Sequence, residues 1–109
     1  MMALNIDPPN GNFPASGGSA KFGMISNSGS RLAYKVKCSN NEHYRVTPVY
    51  GFVEKQSKSE LTIIRLSGSP KKDKFVIQWA EVPDAETDPQ APFKAGAEDG
   101  EVILPVKAE

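Results

Sequence analysis

Cysteine and histidine are almost absent from this sequence, because Cys38 and His43 are the only examples among 109 residues. A single cysteine excludes an intrachain disulfide, and small secreted β domains usually carry disulfides, so we expect a reducing, cytoplasmic setting. One cysteine and one histidine, with no clustered carboxylates beside them, do not suffice for a tetrahedral zinc site. We therefore expect no bound metal and no cofactor.

Catalytic motifs are also missing. The sequence has no Gly-x-Gly-x-x-Gly, no phosphate-binding loop and no Gly-x-Ser-x-Gly. His43 follows Asn40, Asn41 and Glu42 in a polar turn, where a lone histidine is typically solvated. A small enzyme is thus the least favoured of the possible functions, and we expect no catalytic residues.

Neither an excess of charge nor a long apolar run is present. Thirteen Lys and Arg residues balance thirteen Asp and Glu residues, which argues against general binding to nucleic acid or membrane surfaces. No segment reaches the roughly 20 apolar residues of a membrane span. The first residues lack the basic and apolar regions of a signal peptide. These features predict one cytoplasmic domain covering residues 1–109.

The two charge signs are separated along the chain. Residues 31–74 hold ten Lys or Arg and four Asp or Glu, a net charge of +6. Residues 81–101 hold one Lys and seven Asp or Glu, a net charge of −6. These regions are either two solvated surfaces or complementary surfaces that join copies of the chain.

Apolar residues recur with a period of two in the clearest segments, which is the period of a β-strand. In residues 31–39 the predicted inward positions are Leu32, Tyr34, Val36 and Cys38, and the predicted outward positions include Lys35, Lys37 and Ser39. In residues 74–79 the inward positions are Phe75, Ile77 and Trp79, and the outward positions are Lys74, Val76 and Gln78. Trp79 is therefore expected to be largely buried.

Further strands are predicted at residues 20–24, 61–66 and 102–106, with turn-forming residues between the segments. Pro105 cannot donate a ladder hydrogen bond, so the last strand is expected to lie at an edge or to be interrupted there. Residues 83–101 are rich in proline and glycine and are expected to form an irregular connection with at most one helical turn. The pattern predicts an all-β, antiparallel β sandwich.

Four segments in order resemble the major sperm protein (MSP) domain family. They are Leu-Asn-Ile-Asp-Pro at 4–8, Tyr-Lys-Val-Lys-Cys-Ser-Asn at 34–40, Tyr-Arg-Val-Thr-Pro-Val-Tyr-Gly at 44–51 and Lys-Asp-Lys-Phe-Val-Ile-Gln-Trp at 72–79. The fourth runs into one further segment, Gln-Trp-Ala-Glu-Val-Pro-Asp-Ala at 78–85. The last segment is most similar to the sperm-specific branch of nematodes. The resemblance implies a seven-stranded immunoglobulin-like sandwich without disulfides.

The resemblance also implies function. The sperm-specific branch implies a non-enzymatic cytoskeletal protein that self-associates or binds sperm cytoskeletal proteins. The alternative, from the VAMP-associated branch, is docking of short acidic, Phe-containing peptides. That branch docks peptides at positions matching Lys37, Ser39, Lys74 and Val76. With Lys35 beside them on the same outward face, these residues form the expected partner-binding site.

The sequence departs from the peptide-docking pattern at three positions. Thr47 and Val49 occupy the turn that reads Arg-Pro-Asn in that branch, and Glu101 replaces a basic residue in the last strand. These changes remove positive charge from the expected groove. Pro48, inside the same turn, is expected to follow either an ordinary trans or a special cis peptide bond. Whether the chain forms dimers or polymers is left open.

Overall fold

The computed structural model describes residues 3–109. The strands form two facing β-sheets, and buried and exposed residues alternate along them. The elements are β1 (Leu4–Asp7), β2 (Gly11–Phe13), β3 (Gly18–Ser26), β4 (Arg31–Cys38), β5 (Tyr44–Thr47), β6 (Tyr50–Val53), β7 (Lys58–Arg65), β8 (Lys71–Val82), α1 (Ala91–Lys94) and β9 (Gly100–Ala108). One sheet has the order β1-β3-β7-β5, and the other has the order β2-β9-β8-β4-β6. The predicted all-β sandwich is confirmed, and Cys38 is a free thiol, so the described chain has no disulfide.

Nine strands are present in residues 3–109, where the resemblance implied seven. Pro8 separates β1 from β2, and Pro48 separates β5 from β6. A proline has no amide proton to donate to a ladder, and at each of these points the chain crosses from one sheet to the other. The peptide bonds preceding both prolines are cis, which confirms the cis alternative at Pro48. The β2–β9 pair is parallel, so the sandwich is not wholly antiparallel.

The core lies between the sheets and is built from the inward positions of both. Leu32, Tyr34, Val36, Phe75 and Ile77 are buried as predicted. Cys38 occupies the inward position opposite Phe75 but is only half-buried, because it ends its strand near the rim of the sandwich.

Trp79 faces inward, but it is half-buried rather than largely buried. It lies opposite Tyr34 on one side and opposite Gly100 on the other, and it packs against the edge of the core. The indole Nε1 is buried and has no hydrogen-bond partner among residues 3–109.

The last strand, β9, runs unbroken through Pro105, so the expected interruption is wrong, and the expected edge position is confirmed only for the first part of the strand. This strand lies between β8 and β2, but β2 pairs only with Val106–Ala108. On the side away from β8, residues 100–105 have no neighbouring strand among residues 3–109. Lys74, opposite Pro105, directs its N–H and C=O towards Ser39 of the β4 side. The Pro105 nitrogen therefore points away from β8, where no ladder hydrogen bond is lost.

The connection after β8 is irregular, as predicted, and its only described helix is the single turn α1. Part of the connection covers one end of the outward face of the five-stranded sheet. Arg31 Nη1 donates to the backbone oxygens of Asp84 and Glu86, at 3.4 and 2.6 Å. Ala33 and Ala80 are fully buried although they occupy outward positions in β4 and β8. The connection thus forms a partial third layer.

Candidate interaction surface

Four of the five predicted site residues lie on the outward face of β4 and β8, and the fifth, Ser39, follows directly after β4. We call this surface the lysine face; it consists of Lys35, Lys37, Ser39, Lys74 and Val76. Lys37 is directly opposite Val76, and Ser39 follows β4 opposite Lys74. Directly opposed residues of antiparallel strands project from the same side of the sheet. The outward assignment made from the period of two is therefore correct for Lys35, Lys37, Lys74 and Val76, whereas Ser39 lies beyond the end of β4.

The lysine face is graded in exposure. Lys37, Ser39 and Lys74 are exposed, whereas Lys35 and Val76 are half-buried. Lys35 Nζ lies 5.7 Å from the centre of the Tyr50 ring on β6, within the range of a cation–π contact. Lys37 and Lys74 make no ion pair within residues 3–109, so their ammonium groups are the accessible positive charges of the surface.

A polar network supports the Ser39 end of the lysine face. Ser39 Oγ donates to Asp73 Oδ1 at 3.1 Å and accepts from the Lys74 amide at 3.0 Å. Asn40 Nδ2 donates to Asp73 Oδ2 at 3.0 Å, and the Asp73 side chain is only 4% exposed. The network holds the ends of β4 and β8 together. The Asp73 carboxylate also lies 3.8 Å from Lys71 Nζ, an ion pair outside the lysine face.

Strand β9 extends the outward face on the other side of β8. Ile103 lies opposite Val76, and Glu101 lies opposite Gln78. Ile103 is 52% exposed, so with Val76 it forms a small apolar patch beside Lys37. Glu101 is exposed on the same face. The departure from the peptide-docking branch at Glu101 therefore puts a negative charge, in place of a positive one, beside the lysine face.

An open cleft of about 310 Å³ adjoins the Lys37 end of β4. Its lining is mostly apolar and consists of Cys38, Asn41, Tyr44, Arg45, Val46, Val49 and Phe75. Val49 is 42% exposed, while Thr47 is exposed and pairs with Thr62 rather than lining the cleft. Burial raises the pKa of the Cys38 thiol, so this group is poorly suited to act as a thiolate nucleophile.

One buried group was not identified from the sequence. Arg65 is 1% exposed on the inward side of β7, and its Nη2 donates to the Ser69 carbonyl oxygen at 2.7 Å. Its guanidinium carbon lies 5.2 Å from the centre of the Tyr44 ring. Burial raises the pKa of the Tyr44 hydroxyl, and Arg65 partly offsets this rise. Arg65 continues the inward alternation of Leu61 and Ile63, but charged residues are seldom buried, so the sequence pattern alone does not predict its burial.

Other kinds of site find little support in the described chain. Within residues 3–109 no group of three or more His, Cys, Asp or Glu side chains is placed to hold a metal ion. His43 is half-buried and its Nδ1 lies 3.3 Å from Asn40 Oδ1, so the expected full solvation is not observed. No helix between residues 3 and 109 is long and apolar enough to cross a membrane.

Comparison with known proteins places the chain among sperm proteins of nematodes. The family described as MSP (Major sperm protein) domain matches residues 3–102. Sperm-specific class P protein 34 of Caenorhabditis elegans is 64% identical to this chain, and the match covers 93% of this chain and 94% of that protein. The structure of WR4, a C. elegans MSP family member, has a TM-score of 0.98 at 60% identity, with both chains fully covered. The structure of SSP-19, an MSP-domain-like protein of that species, has a TM-score of 0.92 at 39% identity, with 96% of this chain and 98% of its own covered.

Proposed function

The chain belongs to the major sperm protein domain family, and from this premise we propose that it is a non-enzymatic protein-interaction module of nematode sperm that binds protein partners through its lysine face. The partners are other copies of the chain or cytoskeletal proteins of the sperm cytoplasm. No cofactor takes part. The observation that carries the proposal is the joint placement of Lys37 and Lys74, both exposed and without ion pairs, around the apolar Val76–Ile103 patch.

The arrangement suits a protein partner for energetic reasons. Exposed lysines without acidic partners raise the association rate of an acidic surface, while apolar contacts beside them stabilise the complex. Exposed lysines on a sheet also improve solubility, and that role alone needs no apolar patch. Ile103, at 52% exposure beside Val76, is therefore the feature that favours binding over solubility.

A second candidate function is docking of short acidic, Phe-containing peptides. The observation that favours it is the apolar cleft lined by Val46, Val49 and Phe75, which begins beside Lys37 at Cys38. An aromatic side chain could occupy the cleft while acidic residues lie near the lysines. Glu101 opposes this candidate, because its carboxylate repels the acidic part of such a peptide.

The test is partner capture from nematode sperm extract with the immobilised chain. Lys37→Glu/Lys74→Glu reverses both exposed charges of the lysine face, and Lys21→Glu/Lys55→Glu makes the same charge change on other exposed positions. We expect the first variant to lose the bound proteins at low salt and the second to retain them. Equal capture by both variants would contradict the proposed function.

A peptide titration separates the two candidates. An acidic peptide with two phenylalanines and its Phe→Ala version would be compared by calorimetry on the wild-type chain. Binding of the first peptide alone supports the second candidate, and binding of neither excludes it.

A further inference from the structure

Ser69, in the loop between β7 and β8, stands in a sequence that suits phosphoryl transfer by one class of protein kinase. It is followed directly by Pro70, and an exposed lysine, Lys72, comes three positions after it. A kinase pocket without an acceptor for the next backbone N–H selects proline, because any other residue leaves its N–H unsatisfied there. An acidic group of the kinase can then pair with the lysine.

Only one other serine or threonine in the sequence precedes a proline. Thr47 precedes Pro48, but the residue three positions after Thr47 is Tyr50, which is not basic. Thr47 also pairs with Thr62 inside a sheet, so its backbone is held in a strand ladder. Ser69 alone combines the proline, the lysine and a backbone outside the ladders.

The loop presents the Ser69 side chain to solvent. Residues 66–70 belong to no helix or strand, and Ser69 and Pro70 are exposed. The loop is anchored through its backbone, because the Gly68 N–H donates to the Ala15 carbonyl oxygen at 2.9 Å. Within the described chain no hydrogen bond engages the Ser69 hydroxyl, which is therefore accessible to a kinase.

A buried positive charge lies next to Ser69. Arg65 is 1% exposed and forms no ion pair within residues 3–109, and its Nε and Nη1 atoms have no hydrogen-bond partner there. A buried guanidinium without a counter-ion destabilises the fold, because its lost hydration is not offset. A water molecule would satisfy these donors without balancing the charge. The environment of Arg65 therefore favours an anion.

We propose that Ser69 is a phosphorylation site for a proline-directed protein kinase and that its phosphate pairs with Arg65. The Ser69 carbonyl oxygen accepts from Arg65 Nη2 at 2.7 Å, so a phosphate on the same residue is within reach of the guanidinium. The phosphate carries a charge of about −1.5 to −2 at neutral pH and accepts strong hydrogen bonds from arginine. Lys71, whose side chain is 62% exposed and whose ammonium is 3.8 Å from Asp73, provides a second cation. Ser69 lies outside the lysine face, so the modification is independent of the proposed function.

The modification is a phosphoryl transfer from a nucleoside triphosphate bound with Mg²⁺ in the kinase. The Ser69 hydroxyl oxygen forms a bond to the γ-phosphorus, and the bond from that phosphorus to the bridging oxygen of the β-phosphate breaks. The hydroxyl proton passes to the catalytic base of the kinase, and the nucleoside diphosphate leaves.

Phosphate incorporation tests the site. The full chain would be incubated with a purified proline-directed kinase, Mg²⁺ and ATP, and the phosphate located by mass spectrometry. We expect one phosphate per chain, at Ser69. Ser69→Ala and Pro70→Ala should lower incorporation by about tenfold or more, since the first removes the acceptor and the second restores an N–H that the kinase rejects. Ser67→Ala is the matched control, because Ser67 is equally exposed but precedes Gly68.

Thermal unfolding tests the pairing with Arg65. A phosphate that neutralises a buried charge should raise the melting temperature by about 4–8 °C, whereas a purely exposed phosphate should not. Arg65→Met removes the charge at similar volume and should abolish the rise, and Lys21→Met should leave it unchanged. Phosphorus NMR of the phosphorylated wild type gives a second readout that needs no variant. The second pKa of the phosphate should lie below its ordinary value of about 6, because a nearby guanidinium favours the dianion.

Two sets of results would overturn the proposal. Absence of phosphate from Ser69, or equal incorporation into Ser69→Ala, would contradict the site. A melting temperature that phosphorylation leaves unchanged or lowers, or a phosphate pKa at its ordinary value, would contradict the pairing with Arg65.

Discussion

Gly100 lies directly opposite Trp79, and a Cβ atom added at Gly100 would be 2.5 Å from Cζ2 of the indole. The missing side chain provides the space in which Trp79 packs against the core. We expect Gly100→Ala to lower the free energy of unfolding by about 1–3 kcal/mol, as overpacking does. Urea denaturation measures this. Trp79→Phe should reduce the cost of Gly100→Ala in the double variant; equal costs in both backgrounds would contradict the contact.

Removal of the Trp79 ring tests its half-buried position. Full deletion of a large buried aromatic costs about 3–5 kcal/mol, so we expect Trp79→Ala to cost somewhat less, about 2–3 kcal/mol. Thermal and urea unfolding give the value. A melting temperature within a degree of the wild type would place the ring outside the sandwich.

Tyr34 provides a prediction at alkaline pH. Burial raises its pKa from 10.0 to about 12, so the folded chain retains the phenolic proton where the unfolded chain loses it. Stability from this group is complete below pH 10 and is lost as the pH rises towards 12. Urea unfolding at pH 9, 10 and 11 should show a steeper decline for the wild type than for Tyr34→Phe. Parallel declines would contradict the buried hydroxyl.

Asp73 should support the lysine face through its buried carboxylate. Asp73→Ala leaves the Ser39 hydroxyl and the Asn40 amide without their acceptor, and we expect a loss of about 2–3 kcal/mol. Ser39→Ala removes one exposed donor and should cost less than about 1 kcal/mol. Urea unfolding of both variants checks the order. A larger loss in Ser39→Ala would show that the carboxylate does not organise the network.

Much of the fold and the lysine face could be predicted because strands with one buried face have an unambiguous period. Lys37 and Val76 were placed outward on that basis, and their register confirms it. The full burial of Ala33 and Ala80 could not be predicted, since it depends on a distant segment folding back over the sheet. The sheet crossing at Pro8 had a local signal, a proline after a short strand, but its consequence depends on the pairing of β2 with β9.

The acidic connection between β8 and β9 marks the same limit. Its negative charge was visible in the composition of residues 81–101, but composition does not show that Arg31 and Tyr50 hold the segment on the face that carries the lysines. Only the three-dimensional arrangement brings the two signs onto one surface.

The most direct test of the interaction surface is a residue-resolved footprint. Proton–nitrogen NMR spectra of the ¹⁵N-labelled chain would be recorded with and without the proteins it captures from sperm extract. The account predicts that shifts and line broadening concentrate at residues 35–39, 74–76 and 101–103. Changes confined to the outward side of β3 and β7, in the other sheet, would contradict it.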